Sequence, residues 1–277
     1  MIRIPRRAAT CLLVLIHGLV LLLTACVFPA PDTDNHVLSL SLGVLYAEIA
    51  LLVVWFVFSA RPLRIRLLGA TIGLVILCAS FCAYVVRTSG PGEVCAVWIG
   101  VCLTQWSLTQ IPLWLTKSSG WALAKANGQL ASCPKTSQFH IRHLFAWTTA
   151  IAVLFGIGNA AQGWLGGFHG ELQSWLAFFG LLTTTNVLIA GPVVWATLVR
   201  DGRARWIVVS LLSILLLTPL EVSLFGHLSV SQRMLHNGLL FLLTLNTIYV
   251  AGLFTALLVT RGFGWRLARV DPETRVI

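Results

Sequence analysis

Charge is what this chain has least of. Only 10 % of its 277 residues are charged, and Asp plus Glu number nine against nineteen Lys plus Arg. Soluble domains carry roughly 25 % charged residues, so this composition, with 57 % apolar residues, excludes an ordinary water-soluble globule. There is also no polar stretch long enough to fold as a separate domain. The longest gap between apolar runs, 116–140, holds Trp121, Leu123, Ala124 and Leu130 among polar residues. That is enough for an interfacial helix and too little for a core. Any chemistry must then take place within the apolar runs or at their ends. No Walker-type lysine loop, His-Glu-x-x-His or Gly-x-Ser-x-Gly is present, and Gly156, Gly158 and Ala161 match a dinucleotide fingerprint only at the end of an apolar run, where no strand leads into a helix. No cofactor and no catalytic residue are expected.

Seven cysteines do not make a disulfide framework here. Cys11, Cys26, Cys78, Cys82, Cys95 and Cys102 lie in or beside apolar runs, where a thiol packs as a small apolar filler. Cys133, His140 and His143 supply at most three metal ligands with no evident fourth, so no metal site is expected.

What is present is eight apolar runs: 10–28, 37–60, 67–86, 94–115, 141–158, 172–199, 206–228 and 238–260. A hydrocarbon layer roughly 30 Å thick takes about 20 helical residues to cross, because every backbone polar group must be satisfied inside the segment. The fold class expected is therefore all-α, a polytopic transmembrane bundle forming one integral membrane domain. Basic residues fall in alternate gaps: Arg3, Arg6 and Arg7; Arg61, Arg64 and Arg66; Lys117, Lys125, Lys135 and Arg142; Arg200, Arg203 and Arg205; and Arg261, Arg266, Arg269 and Arg275. Only Arg87 and Arg233 lie on the other side, which puts both termini and the 116–140 loop in the cytoplasm. The net charge of +10 is strung along helix ends and suits anionic headgroups, so the lipid bilayer is the expected partner, with other membrane proteins beside it and no nucleic acid. Tryptophans support the same geometry: Trp55, Trp114, Trp147, Trp195 and Trp206 fall towards cytoplasmic ends, and Trp98, Trp164 and Trp175 towards the outer side. Leu23, Thr24, Ala25 and Cys26 also form a lipobox-like string. Cleavage before Cys26 would leave seven spans and the remaining topology unchanged.

Six runs carry a strong polar group near one depth. At 1.5 Å per residue, Glu48 is central in the second run, His17 in the first, Gln105 in the fourth, Asn186 in the sixth and Asn246 in the eighth. Glu221 lies slightly outward of the middle of the seventh, after Thr218 and Pro219. Such groups cost on the order of 3 kcal/mol each when charged and facing lipid, so they should face the interior. One reading makes them hydrogen-bonding glue between helices. The other makes them a pathway in which Glu48 and His17 hold or exchange a proton and Glu221, beside the helix-weakening Pro219, gates or binds a cation. Gly69 and Gly73 form a Gly-x-x-x-Gly that lets a neighbouring helix come close. The eight runs divide four and four, both halves starting inside, yet Glu48 and Glu221 fall on non-equivalent runs and lend a duplication little support.

Gln138, Phe139, Ile141, Arg142, Leu144, Thr148 and Ala152 resemble a Q-F-x-I-R-x-L-x-x-x-T-x-x-x-A membrane-entry segment of uncharacterised bacterial multi-pass inner-membrane proteins. His140 stands where that pattern usually has serine. The resemblance implies a bacterial inner-membrane location and lends no substrate or site residue. The function expected is first that of a non-enzymatic membrane subunit or scaffold. The alternative is a small proton- or cation-coupled transporter using Glu48, His17, Glu221, Gln105, Asn186 and Asn246, and behind it stands an intramembrane lipid-modifying enzyme.

Overall fold

The computed structural model describes residues 35–59, 61–89, 93–125, 171–199, 203–227 and 232–269. Six long helices fill these segments: α1 (Asn35–Phe58), α2 (Leu63–Ser89), α3 (Glu93–Ser118), α4 (Glu171–Leu198), α5 (Arg203–His227) and α6 (Gln232–Gly262). They coincide with the second, third, fourth, sixth, seventh and eighth apolar runs. The first and fifth lie outside the described residues, as do His17, Cys133, His140, His143 and the Gln138–Ala152 segment. Five of the six helices, all but α3, are long and apolar enough to cross a membrane. Apolar side chains around their circumference leave no amphipathic stripe, the pattern of helices solvated by lipid or buried on every side. Leu63, Leu68, Ile72 and Val75 on α2, and Leu211, Leu215 and Leu216 on α5, are exposed, whereas α1 and α4 are largely buried.

An all-α expectation does not contain the remaining element. Trp121–Lys125 (β1) and Trp265–Arg269 (β2) pair antiparallel, with Trp121 opposite Arg269, Leu123 opposite Leu267 and Lys125 opposite Trp265. Within the 116–140 gap, where an interfacial helix is the expectation, Trp121–Lys125 is instead one strand of a two-stranded sheet. Five residues are too few for a helix of any stability, and the partner strand, in the tail, satisfies the backbone instead. Gly120 and Gly264, at φ of 89° and 84°, make the turns from helix to strand in a conformation costly for any residue with a Cβ.

The two halves of this architecture are copies of one unit. Thr116-Lys117-x-x-Gly120-Trp121-x-Leu123-Ala124-Lys125 matches Thr260-Arg261-x-x-Gly264-Trp265-x-Leu267-Ala268-Arg269 residue for residue, and Ile49-Ala50-x-x-Val53-Val54-Trp55 matches Ile189-Ala190-x-x-Val193-Val194-Trp195. Local bonds repeat too. Thr116 and Thr260 hydroxyls donate to the carbonyls of Pro112 (2.8 Å) and Ala256 (2.9 Å), four residues back. Lys117 Nζ donates to Val57 O (2.6 Å) and Arg261 Nη1 to Thr197 O (2.8 Å), so each third helix caps the exposed carbonyls that end its own first helix. The buried stripe of α3 at Trp98, Val101, Cys102, Gln105, Thr109 and Leu113 recurs on α6 at Leu242, Leu245, Asn246, Tyr249, Leu253 and Leu257. Within each unit the three helices pack on one another; between units α1 packs on α6, α3 packs on α4 and β1 pairs with β2. The caps and the strand pair gather the equivalent helix ends at one end of the bundle. The units therefore run parallel, related by a two-fold axis along the helices and through the centre of the strand pair.

The two joints between units differ. At α1–α6 a Cβ added to Gly43 would come within 2.8 Å of the Leu245 carbonyl oxygen and 3.0 Å of Ile248, and one on Gly252 within 3.2 Å of Ala47. At the equivalent α3–α4 joint the residue matching Gly43 is Thr183. Gly69 and Gly73 of α2 face Trp55 and Leu52 of α1 in the same close manner. Gly43→Ala forces apart backbone that cannot yield, so it is expected to lower the detergent-solubilised melting temperature by several degrees, a loss of about 1–3 kcal/mol. Gly100→Ala, with nothing within 4 Å, leaves it level or raises it. Paired thermal melts decide the matter.

Candidate functional site

The sites chosen by depth are sorted by the rotation of their helices. Asn246 of α6 turns towards α5, where its Nδ2 donates to Glu221 Oε2 (2.9 Å) and to Thr218 Oγ1 (3.0 Å). Thr218 and Glu221 sit three residues apart, so they share one face of α5. Pro219 between them lies inside the helix, which continues to His227. Thr185 of α4, its hydroxyl 3.2 Å from Leu181 O, stands beside the same carboxyl. Three helices of the second unit thus close around Glu221, which is 1 % exposed.

A second group adjoins the first across the unit boundary. Tyr249, one turn from Asn246, donates its hydroxyl to Asn186 O of α4 (3.0 Å). Tyr46 of α1 is fully buried against Thr183 of α4, with Cys102 of α3 and Glu221 of α5 in electrostatic range. Tyr46 and Asn186 are equivalent residues of the two units, and Asn186 lies one turn from Thr183, the α4 residue that Tyr46 meets. Gln105, the α3 counterpart of Tyr249, is buried and donates from Nε2 to Thr109 Oγ1 (3.2 Å).

Glu48 is placed elsewhere. It lies one turn before Leu52, which meets Gly73, and seven residues before Trp55, which meets Gly69. This puts it on the stripe of α1 that faces α2, half-buried, and about 200° around the helix from Tyr46. Of the sequence-selected residues, Glu221 and Asn246 are in contact, Asn186 and Gln105 occupy buried positions on the neighbouring helices, Glu48 lies on a different seam, and His17 is outside the described residues. Reasoning by depth passed over Tyr46, Thr183, Thr185, Thr218 and Tyr249. Of these, only Thr218 carried a signal, its one-turn spacing from Glu221.

The chemistry of the group lies in what its hydrogen bonds leave over. Glu221 Oε1, Asn246 Oδ1, both amide atoms of Asn186 and Gln105 Oε1 are buried and have no hydrogen-bond partner among the described residues. A buried polar atom left unpaired costs about 1–3 kcal/mol, and lipid supplies no water to relieve it. Oxygens predominate, which suits a proton or a hard cation. Among the described residues no cluster of three or more His, Cys, Asp or Glu is present. The first unit lacks this chemistry: Phe81 stands where the second has Glu221, and the thiols of Cys78 and Cys102, in contact with each other, stand where the second has Thr218 and Asn246.

Asn246→Leu keeps the volume and removes both α5–α6 bonds, leaving the Glu221 carboxyl without its donor. The expected loss is about 2–3 kcal/mol of unfolding free energy in detergent, against about 1 kcal/mol for Tyr249→Phe, which loses a single bond. An equal or smaller effect of Asn246→Leu, measured by denaturant titration in mixed micelles, would show that the carboxyl is not held by this amide.

Set against protein-family models, curated proteins and solved structures, the chain matches none of them.

Proposed function

We propose that this is a multi-pass protein of a bacterial inner membrane, with eight spans and both termini cytoplasmic, that binds a proton or a monovalent cation at Glu221 and carries it across the bilayer. One observation carries this reading: a buried carboxyl at the meeting of three membrane helices keeps one oxygen without a hydrogen-bond partner among the described residues, as does the side-chain oxygen of Asn246 beside it. Glue between helices works by satisfying its polar groups, and here they are left over. The duplicated architecture is compatible with the same reading, because carriers are commonly built from internal repeats, although here the carboxyl is enclosed by the helices of one unit. The clustering of Arg66, Lys117 and Arg261 at one end of the bundle supports the cytoplasmic assignment of that end.

A membrane subunit or scaffold is the second reading, favoured by the two bonds with which Asn246 ties α6 to α5. Glu221→Gln separates them, since it keeps size and hydrogen bonding and removes the ionisable group. In proteoliposomes loaded with a pH-sensitive dye, wild type should pass protons or Na+ down an imposed gradient well above empty vesicles. Glu221→Gln should fall to the vesicle baseline at unchanged yield and monodispersity, and Glu48→Gln, on the other seam, should stay near wild type. Flux that survives Glu221→Gln, or its absence in wild type, removes the carrier reading. Loss of assembly in Glu221→Gln supports the scaffold.

A further inference from the structure

We infer that the region around the two-fold axis, lined by Tyr46, Thr183, Asn186 and Gln105, is a binding site for a small uncharged solute that both donates and accepts hydrogen bonds, co-transported with the cation held at Glu221. The inference rests on the carrier reading and names its second ligand.

Tyr46 of α1 stands against Thr183 of α4, and Asn186, three residues on from Thr183, shares that face of α4; Tyr46 and Asn186 are equivalent positions of the two units. Thr183 occupies the position that in the first unit is Gly43, where two backbones touch. One inter-unit joint is therefore sealed by close contact, and at its counterpart a hydroxyl stands instead, against the phenol of Tyr46. Gln105 is buried on α3, the helix that packs on α4 at this joint. Tyr46, Thr183, Asn186 and Gln105 are each 0 % exposed.

The unpaired groups define the ligand. Asn186 offers an amide N–H2 and a carbonyl, both without partners among the described residues, and Gln105 offers a carbonyl. Tyr46 and Thr183 add hydroxyls that can serve in either sense. An anion would have to sit within reach of the Glu221 carboxyl, and a second cation would find no second charge here. A neutral molecule with adjacent donor and acceptor groups, such as a short polyol or a simple amide, meets every group. A site built to hydrogen-bond a solute also rejects analogues lacking those groups, because its own polar atoms then stay unpaired.

The test uses full-length protein in liposomes and two probes, glycerol and urea, with entry followed by stopped-flow light scattering. Wild type should raise the entry rate of at least one probe tenfold or more over empty vesicles, faster with an inward proton or Na+ gradient than without. Tyr46→Phe, which removes a single oxygen, and Asn186→Leu should each cut that rate at least fivefold, in protein that remains monodisperse. Asn186→Gln, which restores the amide, should recover part of it. Entry of neither probe, entry unchanged in both variants, or acceleration of water alone would overturn the inference. Solute-free proton or Na+ flux in wild type distinguishes the two failures: if it persists while neither probe enters, the solute site falls and the carrier stands; if it too is absent, both fall.

Discussion

Between helices in hydrocarbon, apolar burial supplies almost no driving force, because a leucine gains little by exchanging lipid for protein. Association must come from close backbone approach and from polar groups that lipid cannot satisfy. Both are segregated in this chain. Close approach is concentrated along α1, which meets Gly69 and Gly73 of α2 on one side and, through Gly43 and Ala47, the backbone of α6 and Gly252 on another. Polar attachment is concentrated around α4, α5 and α6, where Asn246, Thr218, Glu221 and Tyr249 bond across helices. In the middle of the bundle, close approach dominates along α1 and side-chain hydrogen bonds dominate in the second unit, although the two units have the same fold.

That division is what a duplication leaves behind when its copies specialise. The ends of the units stay alike because each solves the same local problem: a third helix must cap the first, turn through a positive φ and lay down a strand. Thr-[Lys/Arg]-x-x-Gly-Trp-x-Leu-Ala-[Lys/Arg] does all three, and the strand it lays down meets its own copy at Leu123 and Leu267. The middles are free to diverge, and there Cys78, Phe81 and Cys102 face Thr218, Glu221 and Asn246 as equivalents.

Helix positions were legible in the sequence to within a few residues because the length of an apolar run follows from bilayer thickness. The strands were not, since β1 and β2 pair across more than a hundred residues and five-residue segments carry little periodicity. The repeat was present in the letters and hidden by its spacing: the Ile-Ala-x-x-Val-Val-Trp segments are 140 residues apart and the Gly-Trp segments 144. No single offset aligns the halves, and comparing the acidic residues alone picked the positions that had diverged. Depth identified Glu221, Asn246 and Asn186, since depth is a count along a run. Which residues converge is a matter of helix rotation, and only the neighbours fix that. Glu48, at the same depth, turns to another seam for this reason.

The one-sidedness of the acidic group has its own physical logic. Were both copies of the Glu221 position acidic, two carboxyls would lie on either side of one axis in a medium of low dielectric, each opposing ionisation of the other. Phe81 removes that conflict, and the pair Cys78–Cys102 keeps the same helix contact with groups that need no solvation. On the proposed carrier reading, a single carboxyl held by the helices of one unit can gain or lose one charge without an equivalent carboxyl across the axis opposing it. Breaking the repeat at one position is then what makes a site that changes by a single charge.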